Sequence, residues 1–133
     1  MPLRLSVITP ARPVVELDVD HVVAPGREGE FDVLPGHELF LAPLRPGVVR
    51  FGSAGREQRL AVSGGFAEVT HDSVTVLSPA ASRPEELDRA QVQAELESAD
   101  AALRDLGALA PGEALVAAQD RVELAKARLS ILS

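Results

Sequence analysis

From residue 3 to residue 77 apolar and polar positions alternate in short runs. Leu3, Leu5 and Val7 are separated by Arg4 and Ser6. Val15, Leu17 and Val19 alternate with Glu16, Asp18 and Asp20, and Phe31 and Val33 alternate with Glu30 and Asp32. A period of two predicts strands with one face toward water. Residues 21–24 continue as a further strand. The apolar runs at 31–34 and 39–44 are too short for helices and suit buried strands. Residues 48–51 and 56–63, joined through Gly52-Ser53-Ala54-Gly55, predict a hairpin with Leu60 and Val62 inward; residues 66–70 and 74–77, joined through His71-Asp72-Ser73, predict a second. The segment 25–49 holds four of the ten prolines and four of the ten glycines, a density that means tight reversals. Nine or ten short strands at this spacing predict an antiparallel β-sandwich or barrel over residues 1–82.

The period changes after Ser78-Pro79. Ser82-Arg83-Pro84-Glu85 has the form of a capping box with Pro in the first turn, and Glu85, Glu86 and Asp88 suit the positive end of a helix dipole. Val92, Leu96, Ala99, Leu103 and Leu106 then form one stripe, ending at Gly107. A second stripe begins near Glu113 and runs through Leu115, Ala118, Val122, Ala125, Leu129 and Leu132. Two matched stripes joined by the connector at 107–112 predict an antiparallel helical hairpin over residues 83–133. Both stripes mix Ala with Leu and Val, and Ala buries little area. Such a seam needs support from the sandwich or from a partner, which makes the hairpin a candidate mobile element.

The remaining features mainly exclude. Among 133 residues there is no Cys, Trp or Tyr, and net charge is −7. Residues 1–82 contribute −3 and residues 83–133 contribute −4. That balance argues against nucleic acid as a partner. Disulfides and thiolate metal sites cannot form, and His21, His37 and His71 fall singly, without metal-ligand spacing. No P-loop, nucleophile elbow or catalytic triad can be assembled. No apolar run approaches a membrane span, and Met1-Pro2-Leu3-Arg4 lacks the long apolar core of a signal peptide, so a soluble intracellular protein is expected. The carboxylates of Glu16, Asp18 and Asp20 read as a solvated strand face. Gly64-Gly65 reads as a sandwich corner. For Leu34-Pro35-Gly36-His37 two readings stand side by side, a plain surface turn and a rigid binding loop.

Two stretches carry a family resemblance. Gly29-Glu30-Phe31-Asp32-Val33-Leu34-Pro35-Gly36-His37 is followed by Pro46-Gly47, and Ser63-Gly64-Gly65-Phe66-Ala67-Glu68-Val69 by Val74-Thr75-Val76-Leu77. Both resemble signatures of the epsilon subunit of the F-type rotary ATP synthase, whose fold is a ten-stranded sandwich followed by a helical hairpin. Glu38 and Leu39 follow His37, where many members have a Pro two residues on. The resemblance implies a non-catalytic central-stalk subunit that couples the gamma subunit to the c ring in proton-driven ATP synthesis. It implies a peripheral position on the cytoplasmic face of the bacterial inner membrane.

By the same resemblance Glu30, Leu34, Pro35, Gly36 and His37 face the polar loops of the c ring and gamma. The hairpin can extend toward the alpha/beta catalytic head and restrain ATP hydrolysis there, with Arg121, Lys126 and Arg128 as contacts. The family's nucleotide-binding pattern at the start of the hairpin is half present: Leu87-Asp88 match, but Gln91-Val92 stand where Arg-Ala is expected. Asp88 and Arg128 remain as weak contacts, so no cofactor and little ATP binding are expected. From the residues alone, a different class also fits: a free-standing sandwich that binds a small molecule and dimerises through its hairpin.

Overall fold

Alternating apolar positions pair across neighbouring strands because only one face of each strand can leave water. The computed structural model describes residues 2–53, 55–107 and 109–133; Met1, and Ala54 and Ala108 of the expected turns, lie outside the described residues. Among the described residues ten strands form: β1 (Leu3–Ile8), β2 (Pro13–Val19), β3 (His21–Gly26), β4 (Gly29–Val33), β5 (Phe40–Leu44), β6 (Gly47–Ser53), β7 (Arg56–Val62), β8 (Gly65–Val69), β9 (Ser73–Leu77) and β10 (Ala81–Ser82). They are hydrogen-bonded in the order β10-β7-β6-β3-β5-β8-β9-β1-β2, with β4 on β3. The pairing is antiparallel apart from β1 with β9, which run parallel. The expected antiparallel sandwich forms with this one parallel pair, on which periodicity carries no information.

The sandwich closes on Leu3, Leu5, Val7, Val33, Phe51 and Val76, all fully buried. Local departures follow from position in the sheet. Leu17 opposes Leu5 but lies on the edge strand β2 and stays partly exposed. The expected buried run at 39–44 is buried only at Leu44, because β5 has an open outer face; Leu34, Leu39 and Leu41 are exposed. The first hairpin is tighter than expected, with Ser53 paired to Arg56 and Gly52 still in the ladder.

The Ser-Gly-Gly signature has a local cause. The Ser63 hydroxyl accepts from the Ala80 amide at 2.9 Å, and the Ser63 amide donates to the Ala80 carbonyl at 3.0 Å. Buried Ser78 donates its hydroxyl to the same carbonyl at 2.8 Å. This knot holds β10 on β7. Gly65 has φ +107°, and a Cβ there would meet the Leu77 carbonyl oxygen far inside van der Waals contact. Only glycine fits that crossing.

The capping reading at Ser82 is corrected. Ser82 belongs to β10 and pairs with Ala61. A single 3-10 turn, Pro84–Glu86, follows, in which the Glu86 carboxylate accepts from the Arg83 amide at 2.9 Å. Helix α1 (Arg89–Asp105) starts later, with Asp88 as its cap accepting from the Ala90 amide at 3.2 Å. Its first turn therefore holds no acid. The strand pairing of Ser82 wins because the knot at Ser63 has already fixed the chain beside β7. Helix α2 (Gly112–Ser130) returns antiparallel. Val92 and Ala99 of α1, and Val122 and Ala125 of α2, are buried as their stripes require. Helix α2 lies between α1 and the β6–β7 pair. It therefore has a second buried face, Ala127 and Ile131, packed on Ala61 with Val48 and Leu87. Leu115 remains more than a third exposed in the first turn of α2, beside the connector.

Candidate functional site

The residues expected to form one interface lie at two ends of β4. Glu30 opposes Pro25 beside the β3–β4 turn, whereas Val33 opposes Val22 and leads into Leu34-Pro35-Gly36-His37. Glu30 accepts from the Arg50 guanidinium at 2.9 Å, which also approaches Glu57 at 3.7 Å. At the other end, Gly36 takes φ +88° in open space, a conformation glycine favours. Its amide donates to the His71 carbonyl at 2.7 Å. The His37 ring lies 5.0 Å from Phe40, and Phe40 packs edge-on to Phe31 at 5.4 Å. The neighbouring β8–β9 turn is tied by Thr70, whose hydroxyl lies 2.7 Å from that of Ser73 and 3.0 Å from the Asp72 carboxylate. Loop and turn thus present one stiff end of the sandwich, with His37, Glu38, His71 and Asp72 around an open depression and Leu34 and Leu39 exposed.

A second surface was missed by the sequence reading. Strand register aligns Pro43 with Phe66, Phe66 with Leu77, and Leu77 with Ile8. These residues form an apolar row across four strands on the outer face, with Phe66 51% and Leu77 52% exposed and Leu41 one step away at 65%. An open groove of about 510 Å³ lies along it, bounded also by Pro10 and Pro79. A signal existed: Ala67 and Val69 point inward, so Phe66 occupies a position that should be wet, as does Leu77 after Val74 and Val76. What the sequence did not show was that these outward positions fall in one line.

The hairpin residues are engaged mostly within the hairpin. Arg121 donates to the Ser98 hydroxyl at 3.1 Å, and Arg128 pairs with Glu95 at 3.2 Å across the seam. Lys126 stands 3.8 Å from Glu123 on its own helix, with its side chain 59% exposed. Asp88 serves as the cap of α1, so Asp88 and Arg128 have separate partners. Between hairpin and sandwich, the Arg27 guanidinium meets both oxygens of Asp120, at 2.6 and 3.1 Å. That hydrogen bond raises the Arg27 pKa above its ordinary value, against desolvation. Among the described residues no helix is long and apolar enough to cross a membrane.

Residues 2–84 match the family described as ATP synthase, Delta/Epsilon chain, beta-sandwich domain. The ATP synthase epsilon chain of Anoxybacillus flavithermus is 45% identical over 102 residues, 77% of this chain and 76% of that protein. The chain belongs to the ATP synthase epsilon family. The epsilon chain of Syntrophobacter fumaroxidans extends the match to 129 residues at 36% identity, 97% of this chain and 87% of the relative. Both helices therefore fall within the family likeness. In solved structures, a chain of the Euglena gracilis mitochondrial ATP synthase superposes with TM-score 0.79 at 23% identity, covering 99% of this chain and 82% of that one. One from the Tetrahymena thermophila mitochondrial ATP synthase central stalk and c-ring superposes with TM-score 0.67 at 14% identity, covering 100% and 98%. These two likenesses speak for the fold alone. As an epsilon chain, the protein is a non-catalytic subunit of ATP synthase, and the reading as a free-standing binding module is not favoured.

Proposed function

We propose that this epsilon chain works in the central stalk, seated on the gamma subunit through its apolar row and turned toward the c-ring polar loops by its stiff loop end. Membership of the epsilon family supports the assignment to the stalk. The observation that carries the docking surface is the row Pro43–Phe66–Leu77–Ile8. Contiguous exposed apolar surface marks a protein interface, and an aromatic at its centre is a typical anchor. The hairpin covers β6 and β7 while the row crosses β5, β8, β9 and β1, so one sandwich can hold both. Leu34, Pro35, Gly36 and His37 form a rigid tip suited to polar loops, and Glu30, at the other end of β4, belongs to a different contact. Seated in this way, the protein is peripheral to the cytoplasmic face of a bacterial membrane. In its extended state the hairpin restrains ATP hydrolysis at the alpha/beta head.

The test is binding to the gamma subunit of the same organism by calorimetry or co-purification. Phe66→Asp places a charge at the centre of the row and is expected to weaken binding at least tenfold, with an unchanged unfolding midpoint. His37→Ala is expected to leave gamma binding within about twofold. Equal gamma affinity for Phe66→Asp and the parent would refute the docking assignment.

A further inference from the structure

Few contacts hold the hairpin on the sandwich. The apolar part is the small cluster of Ala127 and Ile131 against Ala61 and Val48. Near the C-terminal end of α2, Arg59 of β7 donates to the carbonyl oxygens of Ser130 and Ser133 at 3.4 and 3.2 Å. Further up α2, Asp120 receives both prongs of Arg27, which projects from the β3–β4 turn. A groove containing Glu30, Arg45, Glu123 and Lys126 lies between these two points. The segment before α1 stays with the sandwich. β10 is paired to β7, Arg83 donates to the Val14 carbonyl at 2.5 Å, and Arg12 pairs with Glu86. Leu87 then adopts extended backbone, φ −109° and ψ 143°, and the helical geometry begins after Asp88.

We propose that Arg27 and Asp120 form a salt-gated clasp that holds the hairpin closed on the sandwich, with Leu87-Asp88 as the hinge. The two-pronged geometry fixes the angle of α2 as well as its distance, farther along the helix than the Arg59 bonds and the small apolar cluster at its C-terminal end reach. The pair is partly exposed, at 42% for Arg27 and 31% for Asp120, so ions reach it and weaken it. A pair of this exposure shifts a two-state balance by about two- to fivefold. Arg59 holds the α2 terminus beside the hinge, so loss of the clasp frees the loop end of the hairpin first. The clasp is a property of the free subunit; its bearing on ATP hydrolysis rests on the function proposed above.

The chain has no Cys, so spin labels at Asp32→Cys on β4 and Asp105→Cys at the loop end of α1, both exposed, report one distance across the closure. In the full chain at low ionic strength the closed distance is expected to dominate. Asp120→Asn is expected to lower the closed-to-open ratio about two- to fivefold. The reversed pair Arg27→Asp with Asp120→Arg is expected to restore it. Salt at about 1 M should open the parent and leave Asp120→Asn nearly unchanged. The same distance distribution in the parent and Asp120→Asn overturns the clasp, and so does a reversed pair as open as the single variant. If Asp120→Asn opens as expected while the catalytic head is restrained equally by parent and variant, the clasp stands and the inhibitory reading falls.

Discussion

A few residues in this fold have no alternative. Gly65 combines a left-handed φ with the close passage of Leu77, so Gly65→Ala is expected to destabilise the sandwich by about 2–4 kcal/mol, read as a lowered urea midpoint with an unchanged slope. That Gly64-Gly65 and Pro35-Gly36 mark special backbone was legible, because Pro and Gly restrict the chain within a residue or two. The partners of Ser63 were not, since Ser78 and Ala80 lie 15 and 17 residues away. The nucleotide question belongs at this scale too. Gln91 is exposed and uncharged where the family pattern has Arg, and Arg128 is held by Glu95. Without a free guanidinium fork, phosphate has no strong ligand there. Calorimetry is expected to show ATP binding weaker than about 1 mM, or about 4 kcal/mol, and micromolar affinity would contradict this.

Elements were readable where one face of each met water. The strands follow from a period of two, and the inner stripes of both helices from a period near 3.6. The start of α1 was misread because Ser82 carries a capping pattern that the tertiary pairing with Ala61 overrides. The parallel β1–β9 pair and the outer row at Phe66 were hidden for a related reason: both depend on which strands become neighbours. The second buried face of α2 was missed because Ala127 and Ile131 fall outside its main stripe. These elements suggest that the structural unit of the sandwich extends through Leu87. A chain ended after Leu87 is expected to unfold in one cooperative transition. Ending it after Ala81 removes the Ser82–Ala61 pairing, the Arg83 bond to Val14 and the Arg12–Glu86 pair. That shorter chain is expected to be less stable by about 1–3 kcal/mol, measured by thermal unfolding.

At the scale of the whole molecule, the basic end of α2 separates two roles that sequence placed together. Arg128 is largely buried and crosses the seam to Glu95, with its Nε lacking a partner among the described residues. Lys126 is mostly exposed, and its pairing with Glu123 on the same helix is long. Removing Arg128 therefore alters the hairpin itself and leaves Glu95 unpaired, while removing Lys126 leaves the seam intact and takes away an exposed charge at the edge of the groove toward Glu30 and Arg45. In ATPase assays with the catalytic head, Lys126→Ala is expected to relieve inhibition about two- to fivefold at low ionic strength, with helix content unchanged. The relief should shrink as salt rises, because the contact it removes is solvent-exposed. Arg128→Ala is expected to lower hairpin stability by about 1–3 kcal/mol, so its effect on inhibition should persist in salt and track loss of helical signal. If Lys126→Ala restrains hydrolysis as fully as the parent at low ionic strength with both saturating, Lys126 makes no contact with the head. Its charge then serves only the negative end of its own helix.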